Sequence, residues 1–147
     1  MRTVNIVVDA SRPVRESVRV EACGENRYRL LQSPGLAQNL AADDVFDLAT
    51  DGTFTVVERG GNLCIQVFAP APFIAALERW ATEELAKLGG RRDGLGDKLV
   101  VYTVPVSAGF TQIEEVLGRL VDRFPQAQWY YGNVYDPVDG VTPLGWW

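Results

Sequence analysis

Residues 63–88 read LCIQVFAPAPFIAALERWATEELAKL, and this stretch decides the predicted fold. Its first part, residues 63–68, is an apolar run of strand length. After Pro72, which suits the first turn of a helix, apolar residues recur at helical spacing. They are Phe73, Leu77, Trp80, Ala81, Leu85 and Leu88. The change of period predicts a strand followed by a helix with one buried face, on which Trp80 packs into the core.

The same alternation continues toward the C-terminus. Residues 98–104 have the pattern of a strand, and the capping-box sequence at 111–114 predicts the start of a second helix that ends at Pro125. An aromatic-rich strand is predicted over residues 128–135. The order strand, helix, strand, helix, strand predicts a ferredoxin-like split βαβ sandwich, with both helices on one face of the sheet.

A glycine-rich stretch lies between the first helix and the strand that follows it. Residues 89–98 read GGRRDGLGDK, which resembles a phosphate-binding loop in composition alone. Such a loop needs a strand before it and a helix after it, so that N–H groups face the anion. Here the order is reversed. The stretch is therefore predicted to be a helix stop followed by a flexible connection.

The N-terminal half has the pattern of short strands separated by turns. Strands are predicted over residues 4–8, 17–22, 28–31, 44–49 and 53–58. A break is expected at residues 11–13, and residues 36–42 are expected to cross over with a helical turn. The fold class is therefore α+β: an N-terminal bent antiparallel sheet, forming a partial barrel, followed by the ferredoxin-like sandwich. The predicted units are residues 1–62 and 63–147, packed as one compact unit.

The charge of the chain argues against nucleic acid as a partner. Its 147 residues include 19 acidic and 14 basic ones, a formal net charge of -5, with no large basic stripe. No apolar run reaches the roughly 20 residues that span a bilayer, and the N-terminus lacks the apolar core of a signal peptide. We therefore expect a cytoplasmic protein without membrane contact, in which Cys23 and Cys64 are free, buried thiols.

The chain contains no histidine, which excludes several kinds of active site. Serine and cysteine nucleophiles that depend on an imidazole base are absent, and so are histidine-containing zinc sites. Two cysteines cannot form a zinc site of four thiolates. The sequence therefore predicts no catalytic residue, no metal and no cofactor. The remaining enzymatic alternative is a hydrolase that uses the carboxylates of Asp43, Asp44 or Asp47.

Two groups of residues are candidates for binding a partner. Asp43, Asp44, Asp47 and Asp51 cluster around a predicted turn, where solvated carboxylates would steer a basic protein. Tyr131 is the candidate anchor, since alternation along the last strand places rings on both of its faces and leaves one face open. The indoles of residues 146 and 147 are expected to dock back onto the sheet.

Three segments give the chain a family resemblance. They are ESVRVE at residues 16–21, GENRYRLLQSP at 24–34 and LAADDV at 40–45. Together they resemble an uncharacterised bacterial domain-of-unknown-function family, number four thousand two hundred and sixty-five. The chain departs from its pattern at Gly35-Leu36, in place of an aromatic pair, and at Ala42, in place of glycine. The resemblance implies no catalytic residues.

The functional hypothesis follows from the acidic charge, the missing catalytic groups and the surplus of aromatic residues. Small, acidic, histidine-poor bacterial proteins are similar to immunity proteins encoded beside toxins. We therefore expect a non-enzymatic protein-binding protein, an immunity protein that neutralises a cognate toxin domain by covering its active site. A small-ligand-sensing regulatory module is the first alternative, and the carboxylate-based hydrolase is the second.

Overall fold

The computed structural model of the protein describes residues 1–9 and 14–147. Its first sheet is an antiparallel meander with the strands in chain order. The strands are β1 (Arg2–Asp9), β2 (Val14–Gly24), β3 (Arg27–Leu30), β4 (Val45–Leu48) and β5 (Phe54–Glu58). The predicted break at residues 11–13 lies outside the described residues.

The first sheet is strongly bent. The backbone N–H of Val7 in β1 donates to the carbonyl oxygen of Gly52, in the turn between β4 and β5, at 2.9 Å. This contact brings the two ends of the meander together, although β1 and β5 are not paired as neighbouring strands. The bent antiparallel sheet is confirmed, and it remains an open partial barrel.

The crossover that follows β3 contains no helical turn, so the expectation for residues 36–42 is wrong. Carboxylates accept hydrogen bonds from backbone N–H groups along this segment, including that of Ala41, which a helix over residues 36–42 would use itself. Glu16 of β2 accepts hydrogen bonds from the backbone N–H groups of Gly35 and Ala37 at 2.7 and 2.9 Å, and Asp44 accepts one from that of Ala41 at 3.0 Å. The distant acceptor Glu16 and the local acceptor Asp44 together hold the segment in an irregular path.

The second sheet has the strand order β7-β8-β6-β9, and its neighbouring strands are all antiparallel. The elements in chain order are β6 (Asn62–Phe68), α1 (Ala71–Ala86), β7 (Arg91–Leu95), β8 (Leu99–Pro105), α2 (Phe110–Arg123) and β9 (Gln128–Tyr131). β8 lies between β6 and β7, which is the split βαβ arrangement. The ferredoxin-like prediction is confirmed, but the flexible connection predicted over residues 89–98 is wrong because it contains β7.

The main core lies between the second sheet and its two helices. Its largest fully buried side chains are Leu63, Ile65, Leu77, Leu85, Tyr102, Ile113, Leu117 and Leu120. Trp80 packs against this core as predicted, and Arg119 lies over its ring at 5.6 Å from the centroid. Neither helix of the described chain combines the length and hydrophobicity that crossing a bilayer requires.

The start of α2 differs from the prediction. The helix begins at Phe110, after Gly109, and no side chain caps its N-terminus. Thr111 therefore lies inside the first turn, where its hydroxyl is not placed to cap the helix. The predicted capping box is wrong. Gly109 has a φ of 90°, a conformation that glycine adopts without steric cost, and this allows the sharp entry into α2.

The second sheet is also covered on the face opposite its helices. The crossover from the first sheet places Ala41 against Cys64 and Val101 in a small buried cluster. Beside this cluster, the hydroxyls of Ser33 and Thr103 form a hydrogen bond at 2.6 Å. The crossover is thus the element that joins the two sheets.

Candidate functional site

Two of the predicted acidic site residues are paired with arginines on the outer face of the first sheet. Asp47 accepts two hydrogen bonds from Arg27, at 2.7 and 3.0 Å. This pairing lowers the pKa of Asp47. Asp43 accepts one from Arg29 at 3.3 Å and one from the Asn62 side chain at 3.1 Å. Because each carboxylate has a cation beside it, these two aspartates contribute little field at long range.

Asp44 is buried, so the expectation of a solvated carboxylate is wrong at this position. Only 1% of its surface is exposed. Its oxygens accept hydrogen bonds from the backbone N–H of Ala41 at 3.0 Å and of Gly60 at 2.8 Å, and Arg59 lies 3.3 Å away. Burial raises the pKa of Asp44, and these three donors oppose that rise. Asp44 therefore holds the crossover to the end of the first sheet.

Asp51 is the solvated turn residue that the sequence predicts. Its carboxylate accepts hydrogen bonds from the backbone N–H and the hydroxyl of Thr53, at 3.0 and 2.6 Å, and these bonds lower its pKa. The four aspartates therefore do not form one acidic surface. They also leave no free pair of carboxylates for the hydrolase alternative, and the described residues contain no cluster that could hold a metal ion.

Tyr131 is not the exposed ring that the sequence analysis expects. It is paired with Ile65 across the ladder and faces the helices, so that only 8% of its surface is exposed. Its hydroxyl donates to the Oε2 atom of Glu114 at 3.0 Å. Burial, together with the nearby carboxylate, raises the pKa of Tyr131. The exposed ring of β9 is Tyr130, which faces the other way and is 52% exposed.

A groove with a volume of about 640 Å³ runs beside β9. Gly35, Leu36 and Gln38 of the crossover line it, together with Tyr135, Asp136, Pro137 and Gly140 of the turn that follows β9. The remaining lining residues are Gln66, Phe68, Glu114, Trp129, Tyr130 and Tyr131. Among the described lining residues, five side chains are aromatic, two are carboxylates and none is a lysine or arginine. The groove is thus both aromatic and acidic.

A smaller pocket of about 200 Å³ adjoins the groove. The two share Glu114, Tyr131 and Tyr135, so they form one continuous surface that bends around Tyr131. The other lining residues of the small pocket are Phe110, Val134, Pro143 and Trp147. Four aromatic side chains and one carboxylate therefore surround a volume that suits a single side chain.

The outer edge of β9 runs along the groove. The N–H of Gly132 donates to the carbonyl oxygen of Cys64 at 2.7 Å, which sets the phase of the ladder between β9 and β6. Hydrogen-bonded and non-bonded pairs alternate in antiparallel ladders, so Trp129 and Tyr131 turn their backbone N–H and C=O groups away from β6. Since β9 is an edge strand, these groups are available to an extended chain.

The C-terminal residues complete the aromatic surface. The indole Nε1 of Trp146 donates to the carbonyl oxygen of Asn133 at 2.7 Å, and the ring of Trp147 lies 5.2 Å from that of Phe110. The prediction that the indoles dock back onto the sheet is therefore confirmed for Trp146, whereas Trp147 is 47% exposed and packs on Phe110 of α2 and on Trp146. Sequence reasoning missed the groove, although the aromatic residues clustered near β9 and at the C-terminus were the signal that pointed to it.

The chain matches the model of one known protein family. A family model described as a domain of unknown function, DUF4265, matches residues 16–126, which is more than half of the chain. The protein belongs to the DUF4265 family. The matched residues of this DUF4265 protein end before β9, so the strand and the C-terminal segment that line the groove lie outside the match.

The fold of this DUF4265 protein is similar to a solved structure. That structure, described as a novel crystal structure of a hypothetical protein from Neisseria gonorrhoeae, covers 88% of this chain and is itself covered over 91% of its length. The TM-score is 0.66 and the sequence identity is 16%, a likeness that concerns the fold alone. No match was found among the curated proteins.

Proposed function

We propose that this protein is a non-enzymatic binding protein that recognises a basic segment of a partner protein in the groove beside β9. One observation carries the proposal. The groove combines aromatic walls with the carboxylates of Glu114 and Asp136, and among the residues that the structure describes no lysine or arginine lines it. Such a surface attracts cationic side chains and repels the phosphates of nucleic acids. The net charge of -5 acts in the same direction at long range.

Exposed aromatic rings supply the anchors. Tyr130 is 52% exposed and Tyr135 is 41% exposed, and both line the groove. Tyrosines bury a large area at a small entropic cost and are enriched among the residues that dominate binding energies. The Phe68 ring packs against Tyr130 at a centroid distance of 5.8 Å and holds it in place. A preformed anchor loses less entropy when a partner binds.

The free edge of β9 favours an extended partner segment. A chain laid along it would pair with the outward N–H and C=O groups of Trp129 and Tyr131, which is the geometry of β-strand addition. Alternate side chains of that segment would then point toward the aromatic rings and toward Glu114 or Asp136. Backbone pairing would supply affinity, and the carboxylates would select a basic sequence.

The specific form that we propose is an immunity protein, which neutralises a cognate toxin domain by covering its active site. Many active sites that act on nucleic acids are basic, and an acidic aromatic groove is complementary to such a surface. We place this action in the cytoplasm. The two cysteines support that location because both are free, as is usual in a reducing compartment.

A cross-linking experiment tests the proposal. Purified protein carrying the substitution Tyr130→p-benzoylphenylalanine is irradiated in a lysate of the source organism, with the same substitution at Val57 as the control. Val57 is 43% exposed but lies on β5, in the first sheet. A captured protein is then made recombinantly and titrated with the wild type, Tyr130→Ala and Val57→Ala.

We expect one protein to be captured at position 130 and not at position 57. Tyr130→Ala should weaken its binding by about 2 kcal/mol, roughly thirtyfold, while Val57→Ala should bind like the wild type. Equal binding by Tyr130→Ala would refute the groove as the site. If the captured protein arrests the growth of a bacterial host and the wild-type chain restores it, the immunity role is supported. If the captured protein does not arrest growth, the binding function still stands and the immunity role is refuted.

One observation favours the small-ligand alternative. The groove volume of about 640 Å³ lies within the range of small-molecule sites, roughly 300–1,000 Å³. A metabolite that raises the melting temperature of the wild type but not of Tyr130→Ala would favour sensing. If no metabolite in a broad panel does so while the protein partner binds, the sensing alternative fails.

A further inference from the structure

The small pocket beside the groove has the composition of a cation site. Its walls are the rings of Phe110, Tyr131, Tyr135 and Trp147, and the carboxylate of Glu114 lies at its border with the groove. We propose that this pocket binds the guanidinium group of an arginine side chain from the partner. The inference rests on the proposed function and names the group that the partner contributes.

The ring geometry suits a planar cation. The Phe110 ring lies 5.6 Å from the Tyr131 ring at an interplanar angle of 87°, and 5.2 Å from the Trp147 ring at 65°. Because these rings are steeply inclined to one another, a flat group that stacks on one ring meets another at an angle. Arginine is favoured over lysine because its guanidinium is planar, stacks on aromatic faces and is more weakly hydrated.

Glu114 supplies the charge. Its Oε2 atom accepts the hydrogen bond from Tyr131, and its Oε1 atom has no hydrogen-bond partner among the described residues. The side chain lies on the exposed side of α2. A guanidinium in the pocket would therefore find an open carboxylate oxygen to pair with. Charge-assisted hydrogen bonds of this kind are about twice as strong as neutral ones.

The chain already places one of its own guanidinium groups on an indole that neighbours the pocket. Arg59 lies over the ring of Trp146, 5.7 Å from its centroid, and Trp146 packs against Trp147 at 5.5 Å. Trp146 does not itself line the pocket, so this pair shows guanidinium stacking beside the pocket and not within it. The small pocket offers a second position, lined by both Trp147 and Glu114, and no arginine or lysine among the described residues lines it.

A charged compound and its neutral counterpart test the inference on the full chain. Nα-acetylarginine N-methylamide and its citrulline counterpart have nearly the same shape and differ in charge. Each is titrated into ¹⁵N-labelled protein, and the indole N–H signals of Trp146 and Trp147 are followed by NMR. The variant is Glu114→Gln, which keeps an acceptor for Tyr131. The matched control is Glu115→Gln, one residue along α2, whose carboxylate pairs with Arg119 outside the pocket.

We expect the arginine compound to shift the Trp147 signal. The citrulline compound should bind at least about fivefold more weakly than the arginine compound. Glu114→Gln should weaken the arginine compound to a similar degree, while Glu115→Gln should leave it unchanged. Equal binding of both compounds, or no shift with either, would overturn the inference. If the protein partner captured at position 130 binds Glu114→Gln as tightly as the wild type, the proposed arginine site is refuted, while the groove still stands as the binding site.

Discussion

The backbone N–H of Ser33 donates a hydrogen bond to the Oδ2 atom of Asp93 at 2.8 Å, across a separation of 60 residues. The same carboxylate oxygen accepts the hydroxyl of Thr103 at 2.5 Å, and Oδ1 accepts Arg91 at 2.8 Å. The Asp93 side chain is only 2% exposed. One carboxylate thus joins the crossover of the first sheet to β7 and β8 of the second.

Replacing this carboxylate should destabilise the whole protein. Asp93→Ala leaves the N–H of Ser33 and the hydroxyl of Thr103 without their acceptor in a buried place, which costs about 1–3 kcal/mol for each unsatisfied group. We expect a loss of about 2–4 kcal/mol in the free energy of unfolding, measured by urea titration. Asp97→Ala, at an exposed site on the same stretch, should change it by less than about 0.5 kcal/mol. Equal effects of the two changes would contradict this role.

The two cysteines should differ in reactivity. The expected burial of both thiols is wrong for Cys23, which is exposed on β2, whereas Cys64 is buried in β6 and burial raises the pKa of its thiol. Thiolate is the reactive form, so Cys64 should be inert in the native state. With a thiol-specific chromogenic disulfide we expect one rapid reaction in native protein and two in denaturant. Cys23→Ser should abolish the rapid reaction. Two rapid reactions in native protein would show that Cys64 is accessible. If no thiol reacts in denaturant, the two cysteines form a disulfide.

Stability should fall in alkaline solution through Tyr102. This tyrosine is fully buried in β8, and burial raises its pKa to about 12. Since the unfolded residue titrates near pH 10, both states are neutral below that pH and the stability contribution of Tyr102 is complete there. Between about pH 10 and 12 only the unfolded state ionises, so the free energy of unfolding decreases.

The substitution Tyr102→Phe separates this effect from other alkaline titrations. The variant loses the hydrogen bond to the Thr82 hydroxyl at 2.9 Å, and its free energy of unfolding should be lower at neutral pH. Between pH 10 and 12 the free energy of unfolding of the variant should decrease less steeply than that of the wild type, because one titrating group is missing. Urea titrations at several pH values measure both slopes. Parallel slopes would show that Tyr102 ionises equally in the folded and unfolded states.

The parts of the fold that sequence predicts are those with a strong local period. β6, α1 and α2 follow apolar repeats whose spacing needs no distant partner. β7 was missed because RRDGL contains one apolar residue and two arginines. Its position depends on pairing with β8 and on Asp93, which contacts Ser33 far away in the sequence. The crossover prediction was wrong partly for the same reason, since Glu16 is distant in sequence, whereas Asp44 binds the N–H of Ala41 only three residues away.

The candidate site was less predictable than the fold. The aspartates are close in sequence, but Arg27, Arg29 and Arg59 determine their surroundings, and nothing local indicates which arginine meets which aspartate. The groove is assembled from the crossover, β6, α2, β9 and the turn that follows β9. Only the concentration of aromatic residues after Gln128 was visible beforehand. Their alternation correctly separated Tyr130 from Tyr131, but which face was open depended on the packing of α2.

The C-terminal docking leads to a last prediction. Trp146 is partly buried against the main core, and its indole donates to the carbonyl oxygen of Asn133. The side chain of Asn133 in turn accepts the N–H of Cys64 at 2.9 Å and donates to the carbonyl oxygen of Asn62 at 2.9 Å. The indole therefore supports a residue that pairs with β6.

Trp146→Ala removes the ring and the hydrogen bond together, and it should lower the free energy of unfolding by about 2–4 kcal/mol, less than the loss of a fully buried indole. Trp146→Phe keeps part of the packing but no donor, so it should cost an intermediate amount, to which the lost hydrogen bond contributes about 1 kcal/mol. Trp147→Ala is the matched control, because that ring is 47% exposed and should cost the least. Urea titrations of the three variants measure this order. If Trp147→Ala is the most destabilising of the three, then Trp147, through its contact with Phe110, holds the C-terminus to the fold in place of Trp146.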